Sequence, residues 1–374
     1  MNKLFKKLLL TAFTVVFSGA ITLIGMQRSS KETNQDFVQV QTKIDDYLNA
    51  LASQGLFSGS VLVAQNGNIF AKGYGMANYE HDVSNTPQTK FRLGSITKTF
   101  TAMAIMQLQE KGLLSINDTL SKYITDYPNG DKITIHHLLT HSSGIPNLTA
   151  FAEYRKKKSK PHTTEQLVER FKNKPLDFQP GEEYKYSNSG YMLLTYIIEK
   201  ASGKKYETVL QENIFTPLNM NNSGYDKSSL VIKNRASGYS TLDNKLVNAG
   251  YIDMSFPSGA GGLYSTVEDL YLLDQALYSE KLLSKESLDK IFTPHVVTKN
   301  NDPNSPCYGY GWGIGKEYNH NYIGHSGGID GFSTKIARYP DDKLCIIILG
   351  NRDDVKASII YEKLATIIFG EDHE

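Results

Sequence analysis

Two pairs of predicted strands, one near each end of the chain, constrain the fold more than any other feature of the sequence. Residues 60–65 and 68–73 are strand-like runs separated by Asn-Gly, a dipeptide typical of a tight hairpin turn. Residues 334–339 and 343–349 form a second pair around a Pro-Asp-Asp turn. The segments between the two pairs have helical patterns. We therefore expect an α/β fold of the α+β type, with one antiparallel sheet built from both ends of the chain, flanking helices and a large, mostly helical insertion.

Helical spacing of apolar side chains predicts the flanking elements. Residues 39–51 show this spacing before the first strand pair, and residues 355–369 form an amphipathic pattern after the second. Further helix signals are a capping box of Thr163 with Gln166, an apolar helix over residues 191–201 closed by Ser202-Gly203, and a helix cap formed by Ser265 with Glu268. The basic run over residues 155–160 is predicted to be a solvated loop.

The first part of the chain has the layout of an export signal. Three lysines precede an uncharged run of 19 residues from Leu8 to Met26, which is followed by polar residues. Ser18-Gly19-Ala20 could serve as a cleavage site, but the run is nearly long enough to span a bilayer. Residues 1–36 are therefore predicted to be a cleaved signal or an uncleaved membrane anchor with a linker. Both alternatives place the rest of the chain outside the cytoplasmic membrane, secreted or anchored.

Residues 37–374 are predicted to form one catalytic domain. Its sheet subdomain would take residues from about 37 to 90 and from about 305 to 374, and its helical subdomain residues from about 91 to 304. The formal charge of +1 gives no indication of nucleic-acid binding. Two cysteines, Cys307 and Cys345, are too few for a disulfide framework or a zinc site, and the sequence leaves open whether they form one bridge.

The first chemical motif is the S-x-x-K pair of Ser95 and Lys98 at the start of an apolar helix. A spacing of three puts hydroxyl and amine on one helix face. A serine hydroxyl becomes a nucleophile when a base removes its proton, and a desolvated lysine with a lowered pKa can be that base. The helix start supplies backbone N–H groups where an oxyanion would develop. The motif on its own is common, and an N-cap serine followed by a surface lysine would give the same letters.

Two further motifs add chemistry in the same order along the chain. In Tyr186-Ser187-Asn188 the tyrosine can act as a phenolate or proton shuttle if cations lower its pKa, and the asparagine can hold a substrate amide. In His325-Ser326-Gly327-Gly328 the histidine can supply a donor or a cation near Tyr186, and the serine can bind a substrate carboxylate. The glycines there allow a substrate backbone to lie close to a strand edge.

Together the three motifs resemble those of the class C β-lactamase and D,D-peptidase group of serine hydrolases. That group includes low-molecular-mass penicillin-binding proteins, D-aminopeptidases and esterases. The resemblance spans roughly residues 57–351. It includes three further stretches: residues 138–146 (Leu-Leu-Thr-His-Ser-Ser-Gly-Ile-Pro), residues 258–263 (Ser-Gly-Ala-Gly-Gly-Leu) and residues 308–312 (Tyr-Gly-Tyr-Gly-Trp).

The resemblance implies an acyl-enzyme mechanism that needs no metal and no organic cofactor. Ser95 would be the nucleophile, Lys98 and Tyr186 would share the proton transfers, and the N–H groups of Ser95 and Gly328 would form the oxyanion hole. The substrate-binding residues it implies are Asn188, His325, Ser326, Gly327 and Gly328. It also implies a β-lactamase/transpeptidase-like fold.

The substrate stays open at this level. A cell-wall stem peptide ending in D-Ala-D-Ala, another D-peptide, a β-lactam and a simple ester all present a carbonyl to this machinery. His325 stands where many β-lactamases and peptidases of the group have lysine, and no E-x-x-L-N motif is present, so a D,D-peptidase-like hydrolase is preferred to a β-lactamase. The alternatives are a family esterase or β-lactamase, and a penicillin-binding sensor or cell-wall-binding protein that acylates without useful turnover. His137 and His141 have the spacing of helical zinc ligands, but the accompanying glutamate of H-E-x-x-H is missing.

Overall fold

The computed structural model describes residues 36–299 and 305–370, and the chain divides into two compact units, Met1–Tyr47 and Leu48–Glu374. Residues 1–35, which carry the predicted export signal, lie outside the described residues. Within the described part of the chain, no helix combines the length and the apolar character needed to cross a membrane. The predicted division into sheet and helical subdomains stays a prediction.

The structure contains fifteen strands, eleven α-helices and one π-helical segment, Gln211–Phe215, among the residues it describes. The strands are β1 (Gly59–Gln65), β2 (Asn68–Tyr74), β3 (Met76–Asn78), β4 (Val83–Ser84), β5 (Phe91–Arg92), β6 (Gly224–Tyr225), β7 (Tyr239–Leu242), β8 (Lys245–Asn248), β9 (Leu263–Ser265), β10 (Val296–Val297), β11 (Cys307–Tyr308), β12 (Gly313–Glu317), β13 (His320–Ile329), β14 (Phe332–Tyr339) and β15 (Leu344–Gly350). The helices are α1 (residues 36–53), α2 (Thr97–Glu110), α3 (Ile135–Leu139), α4 (Tyr154–Lys157), α5 (Thr164–Val168), α6 (Asn188–Ser202), α7 (Tyr206–Leu210), α8 (Thr216–Leu218), α9 (Val267–Ala276), α10 (Lys285–Ile291) and α11 (Ala357–Phe369). Short 3-10 turns lie at Gly94–Ile96, Leu120–Lys122, Leu148–Ala150 and Ser258–Ala260.

The main sheet has eight antiparallel strands in the order β10-β11-β12-β13-β14-β15-β1-β2. Two strands from the first part of the chain therefore complete a sheet that the last part begins, as the sequence predicted. Strand β15 lies between β14 and β1, and all seven of its residues are buried. Helices α9 and α11 both pack against this strand. This arrangement confirms the predicted α+β fold with a mostly helical insertion.

The first hairpin shows why these residues form this turn. Gln65 pairs with Asn68, so the turn contains two residues. Asn66 has a φ of 50° and Gly67 a φ of 85°. Two-residue hairpin turns of type I′ need positive φ at both positions, which asparagine and glycine tolerate best.

Helix α2 is the centre of the helical part of the molecule. All of its residues from Thr97 to Leu108 are buried, so it is enclosed on every side. Helix α6 packs against it, and the 3-10 turn that precedes α2 contacts β13 and β14 of the main sheet. The start of α2 therefore lies where the helical part meets the sheet.

Most of the predicted helix ends agree with the structure. Thr163 and Gln166 form the predicted capping box of α5, and Gly203 closes α6 in the left-handed conformation with a φ of 67°. The prediction that Ser265 caps α9 is wrong. Ser265 is the last residue of β9, and Thr266 caps the helix by accepting a hydrogen bond from the Asp269 N–H.

The two cysteines are separate in the structure. Both Cys307 and Cys345 are free thiols. Cys345 lies in the buried strand β15, where the sequence placed it, and burial raises the pKa of its thiol well above the usual range. This thiol is therefore a core side chain and not a reactive group.

Candidate active site

Ser95 lies in the tight turn Gly94–Ile96 that leads directly into α2. Gly94 has a φ of 54°, which favours glycine. A Cβ atom on Gly94 would lie only 2.8 Å from the Gly328 backbone nitrogen. The absence of a side chain at this position therefore lets the Ser95 turn approach the third motif on β13, although 233 residues separate Ser95 from Gly328 in the sequence.

Lys98 lies one helical turn after Ser95, and its side chain is completely buried. Its Nζ atom is 3.1 Å from Ser95 Oγ, 2.7 Å from Asn188 Oδ1 and 2.8 Å from the Ala260 carbonyl oxygen. No carboxylate of the described residues is hydrogen-bonded to this amine. Burial lowers the pKa of Lys98 well below that of an ordinary lysine, because a charge here loses its hydration without gaining a counter-ion.

These three contacts fix the orientation of a neutral amine. Asn188 Oδ1 and the Ala260 carbonyl oxygen can only accept hydrogen bonds, so they take both hydrogens of an uncharged Lys98. The nitrogen lone pair is then left for the third partner, the Ser95 hydroxyl. In this state Ser95 donates its proton toward Lys98, which is the arrangement that a general base requires.

Tyr186 is the second titratable group at Ser95. Its ring centroid lies 4.8 Å from Lys98 Nζ, and its hydroxyl is near enough to Ser95 for that side chain to affect its pKa. Burial raises the pKa of Tyr186, and the Ser95 side chain lowers it by a smaller amount. The phenol is therefore protonated at rest, which favours the proton-shuttle role over the phenolate that the sequence also allowed.

Behind Tyr186 lies His141, a residue that the sequence offered only as a zinc ligand. The imidazole packs on Tyr186 with the ring centroids 4.2 Å apart, and its Nδ1 accepts a hydrogen bond of 3.2 Å from the Ser187 N–H. Burial, with Lys98 nearby, lowers its pKa well below the usual range, so it is neutral. His137 instead completes a capping box with Thr134 at the start of α3. The two histidines thus have separate structural contacts.

His325 in the third motif is buried and neutral. Its Nδ1–H donates to the Ser326 carbonyl oxygen at 2.7 Å, so its Nε2 accepts from the Tyr308 hydroxyl at 3.0 Å. Burial, together with the nearby Lys98 amine, lowers the pKa of His325 to about 3. The cationic role that the sequence allowed for His325 does not fit this environment, because a charged imidazole would lose its hydration here without a counter-ion among the described residues. Ser326 is exposed.

The two glycines of the third motif have different surroundings. A Cβ on Gly327 would lie 2.0 Å from the Leu93 carbonyl oxygen and 2.2 Å from Thr334 Oγ1. A Cβ on Gly328 would meet no atom within 4 Å. Strand β13 pairs with β12 only as far as Gly324, so its last residues have a strand partner on one side. Gly327 therefore permits close packing on the Ser95 turn, while Gly328 faces open space.

That open space is a small cavity of about 90 Å³ beside Ser95. Its lining includes Ser95, Asn188 and Gly328 from the predicted set but not Lys98, Tyr186, His325, Ser326 or Gly327. The other lining residues are Gly94, Thr149, Tyr154, Met192, Pro257, Ala260, Gly261, Ile329 and Asp330.

Asn147 and Thr149 are site residues that the sequence analysis missed. Asn147 Oδ1 accepts hydrogen bonds from the Asn188 backbone N–H at 3.1 Å and from Asn188 Nδ2 at 3.3 Å, and Thr149 Oγ1 accepts from the same Nδ2 at 3.2 Å. These bonds turn Asn188 so that Oδ1 faces Lys98. Asn147 directly follows the stretch over residues 138–146 that the sequence analysis singled out, which was the available signal.

Comparisons with known proteins agree with this geometry. A family model described as beta-lactamase matches residues 40–365. A penicillin-binding protein of Bacillus subtilis (strain 168) is 31% identical over 342 residues, which cover 87% of this chain and 75% of that protein. This chain spans 66% to 75% of the length of the first curated relatives that it matches.

Solved structures are similar over most of the chain. The octameric penicillin-binding protein homologue from Pyrococcus abyssi has a TM-score of 0.79 at 32% identity, covering 88% of this chain and 78% of that one. The D-stereospecific amidohydrolase from a Streptomyces species has a TM-score of 0.73 at 25% identity, covering 87% and 99%. These neighbours share the large antiparallel sheet with flanking helices.

Gly327 and Gly328 are adjacent but differ in packing, so alanine substitutions at the two positions make a matched test of the contact between β13 and the Ser95 turn. We expect Gly327→Ala to lower the free energy of unfolding by roughly 2–3 kcal/mol, the scale of an overpacked core, because its new methyl group meets the Leu93 carbonyl oxygen. Gly328→Ala should change it by less than about 0.5 kcal/mol, since nothing lies within 4 Å. Urea unfolding measures both, and equal losses in the two variants would contradict the described packing.

Proposed function

This chain belongs to the beta-lactamase family, and from that premise we propose that it is a serine hydrolase that works through an acyl-enzyme on Ser95. We propose further that its substrates are peptides or amides of the D,D-peptidase type and that penicillins acylate it. The observation that carries the proposal is the Lys98 amine, which is completely buried, has no carboxylate bonded to it, and has two acceptors fixing its hydrogens and the Ser95 hydroxyl as third partner.

In the proposed reaction Ser95 Oγ attacks the substrate carbonyl carbon while its proton moves to Lys98. The carbonyl oxygen becomes an oxyanion that the N–H groups of Ser95 and Gly328 would stabilise. When the tetrahedral intermediate breaks down, the leaving group takes a proton from the Tyr186 hydroxyl, which recovers one from Lys98. A water molecule then attacks the ester in the same way, releasing the acid and restoring Ser95.

The size of the site supports a small acyl group. The cavity beside Ser95 has a volume of about 90 Å³, enough for a few water molecules, so a substituent of alanine size fits there and the rest of the substrate must lie outside. The names of the relatives, a penicillin-binding protein and a D-stereospecific amidohydrolase, point to the same substrate class.

An esterase or amidase without carboxylate recognition is the second candidate. The sequence analysis assigned carboxylate binding to His325 and Ser326, but His325 is neutral and neither residue lines the cavity. No lysine, arginine or histidine lies among the described residues that line the cavity. A substrate without a carboxylate would therefore suit this cavity as well as a penicillin does.

The acylation test separates these candidates. The purified fragment from about residue 36 onward is incubated with a fluorescent penicillin, and the adduct is located by intact mass and peptide mapping. We expect one adduct at Ser95 and none in Ser95→Ala, because Ser95 is the hydroxyl that Lys98 contacts. Equal labelling of the native protein and Ser95→Ala would refute the assignment of Ser95 as the nucleophile. Ester cleavage that depends on Ser95 without any penicillin adduct would favour the second candidate.

The pH dependence of turnover tests the assignment of the base. Because burial lowers the pKa of Lys98, the neutral base is present at neutral pH, and the rate should fall as acid protonates it. Turnover by Lys98→Arg, whose guanidinium stays charged, should be at least about a hundredfold slower at every pH. Turnover by Tyr186→Phe should be slower by a similar factor but should still fall at acid pH, which is the acid limb of the profile. If that limb disappears in Tyr186→Phe and persists in Lys98→Arg, Tyr186 is the base.

We also propose that the enzyme works outside the cytoplasmic membrane, secreted or anchored. The three lysines and the 19-residue uncharged run at the start of the sequence support this location. Protease added to intact protoplasts should degrade an anchored protein, and a secreted one should be found in the medium. Recovery of the intact protein solely in the lysate would refute the location.

A further inference from the structure

Asp330 is the one side chain with a full charge at neutral pH among the described residues that line the cavity beside Ser95. It lies in the turn between β13 and β14, two residues after Gly328. Its neighbour in the lining, Tyr154, adds no charge, because burial and the Asp330 carboxylate raise the pKa of Tyr154 to about 12. The mechanism proposed above gives Asp330 no task.

Asp330 already has one cationic partner. Lys158, the residue directly after α4, donates a hydrogen bond to Asp330 Oδ1, and the two side chains are 19% and 21% exposed. Lys158 belongs to the basic run over residues 155–160 that the sequence placed in a solvated loop. In the described part of the chain, no hydrogen bond reaches Asp330 Oδ2. The carboxylate therefore keeps an acceptor oxygen for a second donor.

The ion pair of Lys158 with Asp330 lies at the border between two cavities. Tyr154, Gly328, Ile329 and Asp330 line both the small cavity at Ser95 and an outer groove of about 650 Å³. Lys158 lines the outer groove but not the small cavity, whereas Asp330 lines both spaces. A substrate whose carbonyl lies at Ser95 must therefore pass this carboxylate on its way into the groove.

We propose that Asp330 is a specificity residue that binds an amino group of the acyl donor through Oδ2, next to the scissile carbonyl. The inference rests on the Ser95 acyl-enzyme of the proposed function. It favours esters, amides or short peptides of a small amino acid with a free ammonium group over N-acylated substrates of the D,D-peptidase type. Such a substituent lies on the carbon adjacent to the carbonyl, so it shares the small cavity with that carbon. An N-acylated substrate offers no charge to this carboxylate.

Lys158 should have the opposite effect to Asp330 on the binding of the same substrates. It holds Asp330 in position, but its own charge repels a second ammonium at the carboxylate. A purely structural ion pair would behave differently, because removal of either partner would loosen the same rim and change binding in one direction. The signs of the two effects therefore separate a binding site from a structural contact.

The test uses D-alanine methyl ester and N-acetyl-D-alanine methyl ester at about pH 6.5, where a free α-amino group is charged. We expect Asp330→Asn to raise KM for the free amine about tenfold and to leave the acetylated ester unchanged, as for loss of a charged hydrogen bond. Lys158→Met should lower KM for the free amine. The control is Lys157→Met, which breaks an exposed pair with Glu153 on the same short helix and should change neither value.

Titration calorimetry of both esters in a Ser95→Ala background measures the same preference without turnover. If Asp330→Asn weakens both esters equally, or if Lys158→Met and Asp330→Asn change binding in the same direction, the pair is a structural contact and the inference is wrong. Absence of turnover of both esters by the native enzyme, with binding of the free amine still dependent on Asp330, would contradict the proposed function and leave this inference supported.

Discussion

The buried amine of Lys98 is the interaction on which the site depends. Helix α2 is enclosed on all sides, so the amine lies where no water can hydrate a charge. Burial of an unpaired ammonium is costly, and the group responds by releasing its proton. The two carbonyl oxygens of Asn188 and Ala260 then decide where the remaining hydrogens point. One desolvated side chain therefore supplies both the protonation state and the direction that activation of Ser95 requires.

Small residues bring distant parts of the chain to this amine. The Ser95 turn approaches β13 because Gly94 and Gly327 have no side chains, and Thr334 holds the same turn through a hydrogen bond of 2.7 Å to the Leu93 carbonyl oxygen. Strand β13 is fixed in turn by β14 and the rest of the sheet. Ser95, the proposed nucleophile, and Gly328, the predicted oxyanion donor, are thus held by packing of the whole sheet and not by a local loop.

The site combines a neutral interior with a charged rim. Lys98, His325 and His141 all have lowered pKa values, and Tyr186 a raised one, because burial disfavours each charged form. Full charges reappear at the rim as the pair of Lys158 and Asp330. In the proposed mechanism this separation would place proton transfer inside and leave recognition of charged substrates to the entrance.

The sequence alone determined the features that depend on neighbouring residues. Asn66-Gly67 set the hairpin, Thr163 with Gln166 set a helix start, and Ser95 with Lys98 set one helical turn, because each involves contacts across one to three residues. The three motifs are local patterns too, and the sheet from both ends was inferred from two local hairpin patterns. The tertiary structure decided that Asn147 orients Asn188, that His325 is neutral and that Lys158 reaches Asp330. Burial and ion pairing join residues tens to hundreds of positions apart, and no short pattern in the sequence records which of them meet.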